Sequence, residues 1–176
     1  MRVIFLGMAL FIMGIFVWAS IKMGFFKDVV ITEQEQPEMH FVYLEHIGPY
    51  HKILDSLEKV EAWAKQNNID CSKSFGHFLD DPDVVEHERL KSHVGCIVDH
   101  VYTDLPNDFK FKTIPKGHYF VAEFMGSPAI GPMKVYRKTK EKFYDRRQSP
   151  PEDVIEIYHR LDEHTMKTIY LFQIRP

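Results

Sequence analysis

The sequence predicts an α+β domain of two β-α-β-β repeats that form an antiparallel sheet with two helices, preceded by one N-terminal transmembrane helix. Three observations carry this prediction. Val3 to Ile21 is a run of 19 residues without a charge. After residue 40 the order strand, proline break, helix, strand, turn, strand occurs twice, with Pro49 and Pro128 79 residues apart. Hydrophobic residues make up 45% of the 176, enough for one shared core. A β-α-β-β unit cannot bury its sheet face alone, so two should pack together and leave a groove at their junction.

The chain divides into an anchor (1–27), a linker (28–39) and a folded domain (40–176). At 1.5 Å per residue the uncharged run spans roughly 28 Å, close to the hydrocarbon thickness of a bilayer. It shows no polar face, and Trp18, Lys22 and Lys27 stand as interfacial anchors. A cleaved signal peptide is the competing reading, with Val17-Trp18-Ala19 as a place to cut. Arg2 alone in the n-region and apolar residues continuing to Phe26 favour an uncleaved, single-pass anchor through residues 3–21. Arg2 on one side and Lys22 and Lys27 on the other set no clear orientation. The linker is polar through Thr32-Glu33-Gln34-Glu35-Gln36, with Val29-Val30-Ile31 as a possible strand edge.

Within the domain, His40–Glu45 alternates as a strand, and His46-Ile47-Gly48-Pro49-Tyr50 breaks it. Pro49 suits the first turn of a helix, and Tyr50, Ile53, Leu54, Leu57, Val60, Trp63 and Ala64 form one apolar face. Asn67-Asn68 ends it. Strands follow at 75–79 and 94–101, separated by the turn Asp80-Asp81-Pro82-Asp83. The second repeat has a strand at 117–124, a helix at 129–144, a strand at 154–158, a turn at 162–164 and a final strand at 168–174.

A formal charge of −3 and no basic stripe argue against nucleic acid as a partner. Arg137-Lys138-Thr139-Lys140 and Arg146-Arg147 read as a solvated helix face in preference to a site for anionic headgroups. Ten histidines are scattered without metal-ligand spacing, so no metal is expected. Cys71 and Cys96 lie in or near apolar strands and read as reduced, buried thiols, with one disulfide left open should the domain lie outside the cytoplasm.

Glu156 is the residue that most needs explaining. In a strand, Ile155 and Ile157 share one face while Val154, Glu156 and Tyr158 share the other. A carboxylate between Val and Tyr, in a chain that is 14% aromatic, points to a concave apolar site that attracts a cation. Tyr43, Trp63, Phe75, Tyr119 and Tyr158 are the candidate aromatic neighbours. The spacing of Trp63 and the setting of Phe75 also suit plain core packing. No Gly-x-Ser-x-Gly elbow, phosphate loop or His-Glu-x-x-His is present. No cofactor is expected, and no catalytic set is assigned.

Five segments in order resemble a known family: His46-Ile47-Gly48-Pro49-Tyr50, Phe78-Leu79-Asp80-Asp81-Pro82-Asp83, Val94-Gly95-Cys96-Ile97-Val98, Ile114-Pro115-Lys116-Gly117-His118-Tyr119 and Ile155-Glu156-Ile157-Tyr158. They resemble the GyrI-like domain, also called the AraC-type effector-binding domain, a SOUL-like two-repeat fold. An anchor ahead of this domain resembles the membrane-bound subgroup that includes the testis-expressed receptor for endoplasmic-reticulum autophagy. No counterpart of that receptor's long tail follows the last strand, so the autophagy role is not carried over. The resemblance implies a ligand groove between the repeats. In relatives that bind lipophilic cations, an acid at the position matching Glu156 meets the ligand's charge. Other relatives resemble small hydrolases that use a glutamate and a tyrosine; Glu156 matches the first, and Tyr119 or Tyr158 the second. The expectation is therefore a membrane-anchored module for a small apolar or cationic ligand. The alternatives are a hydrolase using Glu156 and Tyr119, or a membrane-tethered protein-interaction scaffold. No particular protein partner is indicated.

Overall fold

A computed structural model describes residues 2–161 and 166–175. The predicted architecture is present: one antiparallel eight-stranded sheet, two helices in the domain and an apolar helix before it. The helices are α1 (Arg2–Met23), α2 (Leu54–Gln66) and α3 (Gly131–Asp145). The strands are β1 (Val30–Gln36), β2 (Met39–Ile47), β3 (Ser74–Phe78), β4 (Lys91–Val98), β5 (Lys110–Ile114), β6 (Gly117–Met125), β7 (Val154–Arg160) and β8 (Met166–Gln173). The turn expected at 162–164 lies outside the described residues.

The sheet order is β1-β6-β8-β7-β3-β4-β2-β5. Each repeat supplies three contiguous strands: β2, β4 and β3 from the first, β6, β8 and β7 from the second. They meet at the β3–β7 pair in the centre. The outer strands are exchanged. β1 precedes the first repeat yet pairs with β6 of the second, and β5 precedes the second yet pairs with β2 of the first. Residues 30–36, expected in the linker, are therefore part of the sheet. Their backbone groups gain partners along β6 while most of their side chains remain exposed, so the polar pattern that suggested a solvated linker is that of an edge strand.

Both helices cover one face of the sheet. α3 packs Val135 and Phe143 against Phe120, Ala122, Phe124 and Tyr170. α2 packs Val60 and Ala64 against Val42, Leu44 and Cys96. The opposite face is also dry: Phe41, Phe75, Tyr119, Val121, Ile155 and Leu171 belong to one buried cluster drawn from five strands. β2 and β6 lie five places apart in the sheet, so the sheet curls to bring their side chains into that cluster. Cys71 and Cys96 form a disulfide, which replaces the expectation of free thiols. Cys96 is paired with Ser74 across β3–β4, and Cys71 lies only three residues before Ser74. Strand register thus brings the sulfurs together and ties the connection after α2 to the sheet.

The basic residues of α3 are not a uniform solvated face. Lys138 Nζ donates to the carbonyl of Val29 at 2.9 Å, and Thr139 is buried. Lys140 lies 3.9 Å from Asp83, and Arg146 pairs with Glu33.

Candidate ligand cleft

The register of the central strands fixes what stands beside Glu156. Gly76 of β3 is its partner on one side and Tyr170 of β8 on the other. A side chain at Gly76 would meet the Phe78 ring at 2.9 Å and the Tyr158 hydroxyl at 3.0 Å. The absence of one keeps the floor open in front of the carboxylate. Residues of both helices line a cleft of about 1180 Å³ over this floor. Its walls include Leu54 and Leu57 of α2, Met133 and Tyr136 of α3, and Phe78 of β3. The volume lies slightly above the roughly 300–1,000 Å³ of typical small-molecule sites.

Glu156 is 5% exposed. Tyr136 donates its hydroxyl to Oε1 at 3.0 Å, and Tyr158 donates to Oε2 at 3.2 Å. Burial pushes the carboxyl up from 4.5 to about 7, against the two phenols that favour the charged form. Burial, with the carboxylate beside them, pushes both phenols well above their ordinary value, so they remain protonated donors. A carboxylate in such surroundings is costly when unpaired by a cation. Removing one donor should show how far the phenols offset that cost. Tyr136→Phe is expected to raise the Glu156 midpoint further and to lower stability at pH 8 by about 1–2 kcal/mol, read by denaturant unfolding.

Two further polar features face the cleft. Thr139 lines it, is 1% exposed, and its Oγ1 has no hydrogen-bond partner among the described residues. At the rim, Glu61, Asp80, Asp81, Asp83 and Glu152 outnumber Lys65, Lys140 and Arg160. The potential at the mouth therefore favours cations.

Of the residues singled out by sequence, Glu156 and Tyr158 come together in this cleft. Tyr43, Phe75 and Tyr119 do not. Phe75 is paired with Ile157 across β3–β7, and cross-strand partners share a face, so it points away from Glu156. Tyr43 and Tyr119 belong to the same cluster as Phe75 on that far face. A Glu156–Tyr119 catalytic pair would have the sheet between its members. Trp63 packs in the α2 core, 4.9 Å from the Phe109 ring. Tyr136, Thr139 and Gly76 are the residues that sequence reasoning did not place in the site. Tyr136 falls with Met133 and Phe143 on the apolar steps of the segment 129–144, and Gly76 is a glycine within a strand, a pattern that marks close approach of a neighbour.

The far face holds its own polar group. Lys112 Nζ donates to Nδ1 of His77 at 2.6 Å and of His93 at 2.7 Å, and His77 Nε2 lies 2.9 Å from Asp153 Oδ2. Burial and the neighbouring ammonium depress His93 to about 4, and burial depresses Lys112 to about 8. Among the described residues no cluster of His, Cys, Asp or Glu has the arrangement of a metal site.

Residues 30–175 match the model of the GyrI-like small molecule binding domain. The chain belongs to that family. A DNA gyrase inhibitor from Pectobacterium carotovorum subsp. carotovorum (strain PC1) is 30% identical over 86 residues, which are 47% of this chain and 56% of the relative. The chain thus spans little more than half the length of that relative. Among solved structures, the EcmrR C-terminal domain aligns with a TM-score of 0.66 at 14% identity, over 84% of this chain and 98% of that one. EcmrR in a complex with DNA aligns with a TM-score of 0.66 at 11% identity, over 82% of this chain but 57% of that one. At these identities the likeness is one of fold, and it lies in the C-terminal domain.

Proposed function

We propose that this protein is a membrane-anchored module that binds a small apolar cation, with Glu156 as the counter-charge. The observation that carries the reading is the carboxyl of Glu156, buried at the floor of an apolar cleft between two phenols. A neutral apolar ligand would leave that group a net cost. A cation would neutralise it, while the surrounding rings and aliphatic walls solvate the rest of the ligand. The acidic rim and the unpartnered Thr139 hydroxyl support the same reading, the second as a hydrogen-bonding point for a polar atom of the ligand. Membership of a small-molecule binding family fits it. Anchoring rests on Ile4–Met23, 20 residues long and apolar enough to cross a bilayer by length and composition.

The test is a thermal-shift comparison at pH 8 of tetraphenylphosphonium with a neutral tetraaryl analogue of the same shape. A ligand that binds only the folded state raises its Tm. The cation should raise the Tm of the wild-type chain and lose most of that effect in Glu156→Gln, while the neutral analogue keeps its effect or gains slightly in the variant. Equal losses for the two compounds would remove the electrostatic role of Glu156. Turnover of ester substrates that disappears in Glu156→Gln would instead favour a hydrolase.

A further inference from the structure

The end of α1 is fastened to the wall of the cleft. Gly24 takes a φ of 85°, the left-handed conformation that stops a helix, and it packs against Phe124 and Gly126. The Met23 carbonyl accepts the Ser127 amide at 3.0 Å. Lys134 of α3 donates to the carbonyls of Phe25, at 2.7 Å, and Lys27. With the Lys138–Val29 bond, residues 23–29 are held along the start of α3. The next residues, Pro128, Ala129, Pro132 and Met133, line the cleft. So does Met166, whose carbonyl accepts the Gly126 amide at 3.2 Å. One rim of the cleft therefore lies within a few residues of the point where α1 ends.

Met133 on that rim and the clasped segment beside it expose apolar side chains. Phe25, Phe26, Met125 and Met133 are 49%, 74%, 43% and 70% exposed. A helix that spans the bilayer leaves Met23 at the interface, and this ring of side chains then sits at headgroup depth, where aromatic and apolar groups are stable. We propose that the cleft fills from the membrane. Its occupant is a single-chain amphiphile with a cationic head, which passes between Met133 and Met166, head first, towards Glu156 while its tail stays against the apolar walls. This rests on the reading of the cleft as a cation site and adds the source and shape of the ligand. Lys134 and Lys138 serve the clasp, so part of the basic side of α3 holds the anchor.

The test uses the full chain in phosphatidylcholine vesicles containing a hexadecyl amine with a photoreactive group beside the nitrogen. Binding of tetraphenylphosphonium from water is measured on the same samples. In one variant, a flexible Gly/Ser insertion of about 12 residues between Ile21 and Lys22 lifts the domain by up to roughly 20 Å while residues 23–29 stay docked. Light should attach the amine to β7 or α3 of the parent chain. The insertion should reduce labelling by roughly fivefold or more, because the local supply of ligand is lost, while tetraphenylphosphonium affinity is unchanged. Phe26→Glu, a change at an exposed position beside the rim, should reduce labelling in the same direction and serves if the insertion impairs folding. Soluble binding with no labelling of the parent, or labelling that neither variant alters, overturns entry from the membrane and leaves the cation site standing. Failure of both ligands to bind the parent removes the cation site and this inference with it.

Discussion

Glu156→Gln is expected to stabilise the protein by roughly 3 kcal/mol at pH 8 and by almost nothing at pH 4. The carboxyl has a folded value of about 7 against 4.5 when free. Between these values the folded state holds more protons than the unfolded one, so stability falls as pH rises from about 4.5 to about 7. Below that window the group is protonated in both states and the penalty vanishes. Above it the folded protein bears the whole cost of a buried carboxylate. Glutamine keeps the volume, can accept from one phenol and donate to the other, and cannot ionise. His93 acts with the opposite sign in an overlapping window, because its folded value of about 4 lies below its unfolded value. The difference between wild type and Glu156→Gln, measured by urea unfolding at several pH values, isolates the Glu156 contribution. A gain in stability on removing a charged residue is what a site kept for binding should give.

Cation affinity should fall about tenfold for each pH unit below 7, or roughly 100-fold from pH 8 to pH 5, and should level off above pH 8. Below the Glu156 midpoint the carboxyl is protonated, and a cation must displace that proton to be paired. Binding then releases close to one proton per ligand. The neutral analogue should instead bind slightly better at low pH, where the uncompensated carboxylate is absent. In Glu156→Gln the steep dependence should disappear for the cation. Titration calorimetry in two buffers of different ionisation enthalpy measures both the affinity and the proton count.

The alternation Val154, Glu156, Tyr158 against Ile155, Ile157 was fully legible, and the structure places the two sets on the two faces of the sheet. So were both domain helices, whose apolar stripes cover one side. The edge strands were not. β1 carries the polar sequence Val-Ile-Thr-Glu-Gln-Glu-Gln and β5 has only five residues, and each pairs with the repeat that does not follow it directly. A local pattern cannot announce a partner 67 to 93 residues away.

The aromatic neighbours of Glu156 were hard to read for a different reason. Period-two alternation assigns residues within one strand to two faces, but relating one strand to the next needs register. Because the sheet curls, both of its faces are apolar, and burial does not separate the cleft from the far core. Tyr119 therefore looked as suitable as Tyr158, and Tyr43 and Phe75 stood among the candidates even though the setting of Phe75 suited packing. Tyr136 was hidden by the same logic on a helix, where a buried phenol that serves a carboxylate and one that merely packs share the same spacing.

The most direct measurement is a carbon-13 NMR titration of the Glu156 side-chain carboxyl in the full chain, without ligand and with saturating tetraphenylphosphonium. A midpoint near 7 is expected in the free protein. A fall of about two units or more is expected when the cation binds, since a nearby positive charge favours the carboxylate and a roughly 100-fold loss of affinity by pH 5 requires it. A free midpoint near the ordinary 4.5, or one that the bound cation leaves unchanged, would contradict the role of Glu156 as counter-charge.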